Sequence, residues 1–486
     1  MVNMVQTTES LWSKSVTIEP RAPLHGDIEA DVAVIGAGLA GVLTAFFLQQ
    51  KGLHTVVLEA ARIGSGQTQN TTAKITTQHG LMYSKLIKDF GMEKARQYAM
   101  ANQRAIAAFE ELINGLHIQC EFEHRASYLY SVSNEQALLD EARAASELGL
   151  DAQYVTRLDL PIKTLGAVRF ANQAQFHPLR FLRAVAEKLT IYEQTQVTDI
   201  KEHSLLCENG SVHAKHIVMA THYPFLNTPG FYFMRMHQER SYAIALENVP
   251  LPEGMYYGID AGALSLRSSG STLIVGGGNH RTGEAHLKNQ YDLLRTEARR
   301  WYPGGIEIAA WSAQDCIPMD GVPYIGRFSA ATPDWYVATG FKKWGMTSSM
   351  AAARLLSDAV TGRDNPYAEV FSPQRFVLSA SAKQLAEDGA QSVKGLAAEF
   401  LSIPATHTSA LPNGHGGIVE YKGHKMGVYK DENGQVHVVS TRCPHLGCQL
   451  EWNPAERSWD CPCHGSRFDY TGKLIDNPAL GGLKHE

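Results

Sequence analysis

The sequence lacks the features that mark membrane, secreted and nucleic-acid-binding proteins. No apolar run approaches the roughly 18–20 residues that cross a bilayer. The first residues, MVNMVQTTESLWSKS, contain no apolar core of a secretory signal. Charge is nearly balanced, because 44 basic and 49 acidic residues give a net charge of −5. We therefore expect a cytoplasmic protein that binds neither membrane nor nucleic acid.

Cysteine is scarce in the first two-thirds of the chain, where Cys120, Cys207 and Cys316 lie far apart. The other four cysteines fall between positions 443 and 463, beside histidines. In a cytosolic chain such a cluster indicates a metal site before it indicates disulfides. With 486 residues the chain also exceeds one ordinary core. These features predict a large unit followed by a small metal-bearing one.

The pattern after residue 30 predicts strand, Gly-rich turn, helix and strand. The strands are DVAVI (31–35) and TVVLE (55–59), and the helix is VLTAFFLQQ (42–50). HIVMA (216–220) and DWYVA (334–338) are predicted to return to the same sheet. The first 27 residues are polar and are expected to form a loosely held arm. Further helices are predicted at 91–115, 134–147 and 346–360.

The turn itself is Gly36-Ala37-Gly38-Leu39-Ala40-Gly41, a GxGxxG motif that leads into the helix. Its glycines permit a tight turn, close approach of the backbone to a pyrophosphate and close packing of helix on strand. Glu59 ends the second strand, where an acid can bind ribose hydroxyls. A Gly-rich helix start can also serve packing alone, but the strand, helix and acid together favour dinucleotide binding.

The residues after Glu59, EAARIGSGQTQNTTAKITTQHG, resemble the flavin-binding loop of the D-amino-acid oxidase superfamily, which includes glycine and sarcosine oxidases. A second resemblance lies in DGVPYIGR (320–327) and ATGFKKWGMTSSMAAARLL (338–356), which is similar to the closing motif of that superfamily. The resemblance implies FAD as cofactor and places Arg62 beside the adenosine. The other implied FAD-binding residues are Gly64, Ser65, Thr71, Thr72, Ala73, Lys74, Val197, Gly340, Gly345, Met346 and Thr347.

A second dinucleotide-binding motif is not expected. Gly276-Gly277-Gly278 follows a predicted strand, but no helical pattern comes after it. Electrons are therefore expected from an organic substrate and not from NAD(P)H.

We select candidate substrate-binding residues by their side-chain chemistry and their position in the sequence. Lys342 follows Gly340-Phe341, and sarcosine oxidases carry a comparable lysine that faces the substrate carboxylate, so Lys342 or Lys343 is a candidate. Tyr242, Arg240 and Arg267 are candidates for the pocket wall, and His79 for a position near the flavin ring. Histidines elsewhere are as readily explained as surface or structural residues.

Near the C-terminus the chain carries Cys443-Pro444-His445 and Cys461-Pro462-Cys463-His464. This C-x-H…C-x-x-H pattern resembles the Rieske [2Fe–2S] proteins of respiratory and photosynthetic complexes. The resemblance implies Cys443, His445, Cys461 and His464 as ligands. It also implies a Cys448–Cys463 disulfide, and Gly465 and Ser466 as hydrogen-bond donors to the cluster. A Cys2His2 zinc site is the alternative, although its usual spacing differs.

One position departs from that family. The tyrosine that tunes the redox potential, two residues after the serine, is Phe468 here. With one hydrogen-bond donor missing, we expect a somewhat lower cluster potential. The chain also ends soon after Asn477–Leu480, where the fold of that family usually continues, so a shortened or truncated domain is expected.

Together these features predict an α/β, Rossmann-like FAD-binding domain of the glutathione-reductase type, an interleaved α+β substrate domain and a small all-β Rieske domain. The expected boundaries are 28–90, 176–225 and 318–368 for the FAD-binding domain, 91–175 and 226–317 for the substrate domain, 369–407 for a connector and 408–486 for the Rieske domain.

The expected function is oxidation of a C–N bond in a small amine or amino acid by hydride transfer to FAD. Electrons would leave through the [2Fe–2S] cluster to an external one-electron acceptor. Two alternatives keep the same cofactors: a C–OH dehydrogenase acting on a hydroxy acid, and an electron-transfer flavoprotein that serves a partner oxygenase. The sequence leaves the substrate, the acceptor and the oligomeric state open.

Overall fold

The computed structural model describes residues 9–285, 287–375, 381, 389 and 411–484. The predicted connector, 369–407, lies outside the described residues except for 369–375, 381 and 389. The predicted boundary at 407/408 lies outside them too.

The helices of the described residues are mostly amphipathic or, at the two Gly-rich turns, almost wholly buried. Their bounds are α1 (Leu11–Ser15), α2 (Leu39–Gln50), α3 (Tyr83–Gly115), α4 (Glu135–Glu147), α5 (Pro178–Ala186), α6 (Gln290–Trp301), α7 (Gly345–Val360) and α8 (Ala368–Phe371).

The strands begin with β1 (Ile28–Ile35), β2 (Thr55–Leu58), β3 (Lys74–Ile75), β4 (Glu123–Ser131), β5 (Ala152–Val155), β6 (Gly166–Gln175), β7 (Thr190–Tyr192), β8 (Val197–Lys201), β9 (Ser204–Cys207) and β10 (Gly210–Met219). They continue with β11 (Met236–Glu247), β12 (Met255–Gly258), β13 (Ser265–Ser269), β14 (Thr272–Arg281), β15 (Ile306–Pro318), β16 (Tyr324–Ser329) and β17 (Thr332–Thr339). Those after residue 410 are β18 (His415–Tyr421), β19 (His424–Lys430), β20 (Val436–Ser440), β21 (Glu451–Asn453), β22 (Ser458–Asp460), β23 (Arg467–Asp469) and β24 (Leu474–Asp476).

The first sheet has the order β16-β17-β10-β1-β2-β7, with β9 beside β10 and β8 beside β9. The run β17-β10-β1-β2-β7 is parallel. The last four residues of β1 are all buried, as expected for a parallel strand covered on both faces. Helix α2 follows β1 directly and packs against α7. This confirms the predicted Rossmann-like unit, including the return of residues 216–219 and 334–338 to its sheet.

The second sheet has the order β15-β11-β14-β13-β12-β4-β6-β3, with β5 beside β6. Its two longest strands, β11 and β15, are antiparallel and pair from Met236↔Pro318 to Glu247↔Ile306. Lys74 and Ile75 were assigned by the sequence to the FAD-binding part, yet they form β3 and pair with β6. The chain crosses at this point from the flavin loop to the second sheet, which brings the two sheets together around one cavity.

The C-terminal part is all-β, as predicted. Within residues 411–484, β18-β19-β20 form one antiparallel sheet and β21-β22-β23-β24 form another. A turn at Asn433-Gly434 joins β19 to β20, and Gly434 adopts a φ of 85°.

The described part of the N-terminal arm, from residue 9, is held more firmly than the sequence suggested. Trp12 in α1 is 1% exposed, and its indole N–H donates to the carbonyl of Thr71 at 2.7 Å. One buried aromatic side chain therefore fixes an otherwise polar segment against the flavin loop.

None of the helices in the described part of the chain has the length and apolar content needed to span a bilayer.

Candidate active site and metal centre

A cavity of about 1110 Å³ lies between the two sheets. Its walls come from the Gly-rich turn, the flavin loop, the inner face of the second sheet, residues 341–346 and residues 474–480 of the C-terminal part. Ligand pockets of drug-sized molecules are about 300–1,000 Å³. This cavity is therefore large enough for a dinucleotide together with a small substrate.

The Gly-rich turn is built as the motif requires. Gly36 has a φ of 103°, and a Cβ there would lie 2.6 Å from the carbonyl oxygen of Ala220. A Cβ at Gly41 would overlap the carbonyl oxygen of Gly36, so helix and strand touch at this residue. Gly38 caps α2 and lines the cavity, which leaves the positive end of the helix for a phosphate.

Glu59 also lies on the cavity wall and is fixed by the backbone. Its two carboxylate oxygens accept hydrogen bonds from the N–H groups of Ala37, at 2.7 Å, and Ala61, at 2.9 Å. Burial raises the pKa of Glu59 despite these bonds. The carboxylate is thus held at the end of β2, where a ribose can reach it.

The structure brings most of the predicted FAD residues to the cavity but not all. Those that line it are Gly36, Gly38, Glu59, Gly64, Ser65, Thr71, Thr72, Lys74, Val197, Gly345 and Met346. Those that lie behind the lining are Gly41, Arg62, Ala73, Gly340 and Thr347.

Arg62 does not line the cavity, and its place beside an adenosine stays a prediction. Its guanidinium forms an ion pair with Glu193 at 2.9 Å and donates to the carbonyl of Ile18 at 2.7 Å. These partners lie outside the lining, and both compete for the charge that was expected to face the cofactor.

The other residues behind the lining support it. Thr347 exchanges hydrogen bonds with the backbone of Thr76, at 2.9 and 3.0 Å, and so ties α7 to the flavin loop. Gly340 lies against Pro318, where a Cβ would approach the ring to 2.5 Å. Ala73 is buried with a φ of 58° at the crossing between the sheets.

Four of the predicted substrate residues line the cavity: His79, Tyr242, Lys342 and Lys343. Arg267 does not. It is 1% exposed, donates to the carbonyls of Ala73 and Thr72 at 2.7 and 3.1 Å, and lies over the Trp12 ring at 5.2 Å. Its guanidinium therefore holds the flavin loop from behind, and the prediction that it faces substrate is wrong.

Arg240 is also turned away from the cavity. It is buried and pairs with Glu456 of the C-terminal part, with 3.0 Å between Nε and a carboxylate oxygen. The Tyr242 side chain also extends towards the C-terminal part, because its hydroxyl donates to Glu456 at 3.1 Å. Tyr242 thus contributes its ring to the wall, while its hydroxyl serves the contact between the two parts of the chain.

The two adjacent lysines have different surroundings. Lys343 lies 3.0 Å from Glu239 and 3.4 Å from Asp315. Burial would lower the pKa of Lys343, but these two carboxylates raise it. Burial alone would raise the pKa of Glu239, but a hydrogen bond from His237 and the charge of Lys343 lower this pKa to about 2. Lys343 is therefore a charged residue of the cavity wall whose charge is balanced by two carboxylates.

Lys342 forms no ion pair with any described carboxylate. Its backbone has a φ of 52°, and its ammonium lies 3.9 Å from the sulfur of Met82. Burial lowers the pKa of Lys342 to about 8, because the charged form is poorly solvated. A partly buried ammonium that lines a cavity and has no carboxylate partner among the described residues is a binding group for an anion.

His79 is the second polar group on this wall. Its Nδ1 lies 2.6 Å from the hydroxyl of Tyr98, and its ring stacks on Trp344 with centroids 5.0 Å apart. Burial, followed by the charge of Lys342, lowers the pKa of His79 to about 3, so the ring is neutral. Its Nε2 is buried and has no hydrogen-bond partner among the described residues. In the tautomer in which Nδ1 accepts from the Tyr98 hydroxyl, Nε2 carries the proton and can donate to a ligand.

Sequence reasoning missed several residues of this wall. Glu239 and Asp315 face one another across β11 and β15, and only the register of these distant strands brings them together. Trp344 and Tyr257 line the same region, with ring centroids 5.2 Å apart. The Lys342-Lys343-Trp344 run was visible in the sequence, but its partners were not.

The four predicted cluster ligands converge in the C-terminal part. Cys443 and Cys461 are free thiols, 2% and 1% exposed, and the rings of His445 and His464 lie 4.9 Å apart. The Nε2 of His445 lies 2.7 Å from the side-chain oxygen of Asn227, while its Nδ1 is buried without a hydrogen-bond partner in the described part of the chain. Asn227 thus fixes the tautomer that leaves Nδ1 free to bind a metal.

The disulfide and Ser466 lie as the resemblance implies, whereas the N–H of Gly465 donates to the carbonyl of Cys461 at 3.0 Å. Cys448 and Cys463 form a disulfide that joins the two ligand loops. The hydroxyl of Ser466 accepts from the N–H of Ala479 at 3.0 Å and lies beside the Cys443 thiol, so its own proton is available to the sulfur. Phe468 is fully buried among Cys443, Cys461 and Cys463.

These two sites define a flavin-dependent oxidoreductase that also carries an iron–sulfur centre. Residues 31–359 match the family described as FAD dependent oxidoreductase, and residues 402–485 match the Rieske [2Fe-2S] domain. The chain belongs to the FAD dependent oxidoreductase family and has a C-terminal Rieske domain.

Among its relatives, a protein of Bacillus subtilis (strain 168) that is named as a Rieske 2Fe-2S iron-sulfur protein, YhfW, is 37% identical over 99% of this chain and 97% of its own length. Gamma-glutamylputrescine oxidoreductase of Escherichia coli (strain K12) is 22% identical over 74% of this chain and 90% of its own. Glycine oxidase from Geobacillus kaustophilus has the same fold, with a TM-score of 0.62, 18% identity and coverage of 72% of this chain and 99% of that one.

The residues present fit both groups that the family and the domain bind. The large cavity ends on a helix N-terminus and a backbone-fixed carboxylate, as FAD requires. Two buried free thiols and a histidine nitrogen without a partner suit the mixed thiolate and imidazole ligation of a Rieske [2Fe–2S] cluster. The zinc alternative is not needed, since the whole domain matches the Rieske pattern.

Proposed function

We propose that this protein oxidises a C–N bond of a small amine or amino acid. FAD accepts the hydride when bound, and the cluster then carries the electrons one at a time to an external acceptor. A cytosolic location remains a prediction from the sequence.

One observation carries the proposal. A single cavity is lined by the dinucleotide turn, by Lys342 and His79, and by residues 474–480 of the Rieske domain. The place for a substrate, the place for FAD and the Rieske domain are therefore contiguous. This arrangement is expected of an enzyme in which both cofactors serve one substrate.

Lys342 and His79 on the cavity wall favour a substrate with a carboxylate. We assign Lys342 and the Nε2–H of His79 to its two oxygens, because Lys342 lines the cavity without a carboxylate partner among the described residues, and the His79 Nε2 is buried there without a hydrogen-bond partner among them. A charged hydrogen bond of this kind is worth about 1.5–3 kcal/mol. An amino acid would thus be oriented by its carboxylate.

The opposite charge is available a short way along the same wall. Glu239 and Asp315 line the cavity and hold Lys343 between them, so their remaining lone pairs can accept from the N–H groups of an amine. The names of glycine oxidase and gamma-glutamylputrescine oxidoreductase, which denote C–N substrates, also support an amine or amino acid.

An anaerobic screen tests the proposal. Amines, amino acids and hydroxy acids are added separately to the holoprotein, and the flavin and cluster absorbances are followed together. We expect an amine or amino acid to bleach the flavin. Bleaching only by a hydroxy acid would favour the C–OH dehydrogenase, and bleaching only by a partner reductase would favour the electron-transfer flavoprotein.

A further inference from the structure

The second ligand loop of the cluster, residues 461–466, fits into a close recess on the FAD-containing part of the chain. A Cβ at Gly465 would lie 2.6 Å from the Cβ of Gln238, and a Cβ at Gly283 would overlap the backbone of Cys461 and Pro462. Glycine is therefore required on both sides of this contact. The backbone of Gly283 thus lies against the backbone of the loop, and the backbone of Gly465 lies against the Gln238 side chain.

Two buried glutamines hold the loop in the recess. Gln238 donates from Nε2 to the carbonyl of the ligand His464 at 2.7 Å and to that of Asn477 at 3.2 Å. Gln314 donates from Nε2 to the carbonyl of Gly465 at 2.8 Å and to the side-chain oxygen of Gln238 at 2.6 Å. They are 2% and 0% exposed. All four amide hydrogens are used, so the pair has one orientation.

The same pair is connected to the cavity wall. The backbone N–H of Gln314 donates to the side-chain oxygen of Gln67 at 2.8 Å, and Gln67 belongs to the flavin loop and lines the cavity. Hydrogen bonds therefore run without interruption from the cavity wall, through Gln314 and Gln238, to the backbone of His464.

We propose that Gln238 and Gln314 are positioning residues that fix the 461–466 loop on the flavin site and set the rate of electron transfer between FAD and the cluster. This inference rests on the proposed function. Oxidation of one C–N bond releases two electrons, and each passes singly from reduced FAD to the cluster and on to a one-electron acceptor. The cluster stays docked during both transfers, and no movement of the Rieske domain is required.

The test uses Gln238→Leu and Gln314→Leu in the holoprotein, with Gln175→Leu as the matched control. Gln175 is equally buried and donates two hydrogen bonds, but to Glu123 and Ser268 in the second sheet. Electrons are supplied by laser-flash photoreduction with 5-deazariboflavin and EDTA, so the substrate need not be known. The rate at which flavin and cluster exchange an electron is followed by absorbance.

We expect this rate to fall about tenfold in Gln238→Leu and Gln314→Leu, which corresponds to about 1.4 kcal/mol of barrier, and to stay unchanged in Gln175→Leu. Amide hydrogen exchange of the 461–466 segment, measured by mass spectrometry, should rise in the first two variants only. Gln238→Asn should restore part of the rate, and the midpoint potentials of both cofactors should stay unaltered.

The outcomes separate the inference from the function it rests on. If the wild-type protein exchanges electrons between its cofactors and both leucine variants do so at the wild-type rate, the positioning role is wrong. If the wild-type cofactors exchange no electron, the proposed function itself fails. A slow rate accompanied by a shifted cluster potential would also overturn the inference, since it would indicate an effect on the cluster and not on its docking.

Discussion

The FAD site and the cluster site are built from different kinds of group. The FAD site presents backbone and small side chains from several segments around a large cavity, and no single side chain dominates it. The cluster site depends on four side chains from two loops that one disulfide joins. The first site should therefore tolerate the loss of a single side chain, although not a substitution at Gly36 or Gly41, whereas the second should be lost with any ligand.

The largest effect is therefore expected at a cluster ligand. Cys443→Ser or His464→Ala should remove the iron and the labile sulfide, of which the wild type should hold about two each per chain. FAD should remain bound and reducible, because its cavity needs neither side chain. Metal analysis and flavin absorbance check this, with Thr72→Ala as the matched change in the flavin loop. Stoichiometric zinc in the wild type would refute the cluster assignment.

A smaller loss is expected where the two sites are joined. Glu456 lies between Arg240 and Arg467, and their charges hold the pKa of its carboxyl low although burial opposes this. Glu456→Gln removes the carboxylate with which the buried Arg240 pairs, while Arg467 keeps Asp460 and Asp476. Breaking a buried pair costs about 3–5 kcal/mol, and denaturant unfolding measures that loss.

The matched control for Glu456 is Glu432→Gln. Glu432 pairs with Arg457, and both side chains are more than half exposed. An exposed pair contributes about 0–1 kcal/mol. Equal losses in the two variants would show that the contact between the FAD-containing part and the Rieske domain does not depend on the buried charges.

The third effect concerns substrate and leaves both cofactors in place. Lys342→Met should lower kcat/KM for an amino acid by about 10- to 150-fold, the equivalent of a charged hydrogen bond worth 1.5–3 kcal/mol. Lys342→Arg should retain more activity, and neither change should alter cluster content. Steady-state kinetics with the substrate found in the screen checks the values. An unchanged kcat/KM would remove Lys342 from the site.

Lys342 also predicts a pH dependence. Burial lowers its pKa to about 8, so the binding ammonium is present below that pH and is lost as the pH rises through it. KM for a carboxylate substrate should therefore rise above about pH 8 in the wild type. The rise should move to higher pH in Lys342→Arg and vanish in Lys342→Met.

The smallest effect is a change of potential at the cluster. Phe468 is buried among the cluster cysteines, so Phe468→Tyr can supply the donor that related Rieske proteins carry there. One hydrogen bond is worth about 0.5–1.5 kcal/mol, which for one electron raises the midpoint by about 20–65 mV. Ser466→Ala should lower it. Potentiometry that finds Phe468→Tyr unchanged or lowered would show that position 468 does not face the cluster.

The contrast between the sites also explains what the sequence could predict. Gly36 to Gly41 and Cys461 to His464 are contiguous motifs whose chemistry is local, so the spacing of the first and the family resemblance of the second were enough to indicate these sites. Arg267 was misjudged because an arginine in the predicted substrate domain suggested a residue of the pocket wall, whereas in the structure it donates to the carbonyls of Thr72 and Ala73. The type of a residue does not show whether its side chain points into the cavity or away from it.

The contacts between the FAD-binding part and the Rieske domain could not be predicted from the sequence, for a different reason. Glu456 and Arg240, or Gln238 and the carbonyl of His464, are more than 200 positions apart. Nothing in their local sequence marks them, because they are defined only when the Rieske domain lies against β11 and β15. Such partners carry the coupling of the two sites and leave no motif.

The central claim is that electrons from a C–N bond reach the cluster through the flavin of the same chain. Anaerobic stopped-flow mixing with the amine or amino acid found in the screen tests it most directly, with flavin absorbance and rapid-freeze EPR of the cluster recorded together. We predict that the flavin bleaches first, the reduced cluster appears afterwards at a rate independent of protein concentration, and His464→Ala shows the first step alone. A flavin that bleaches while the wild-type cluster stays oxidised would contradict the account.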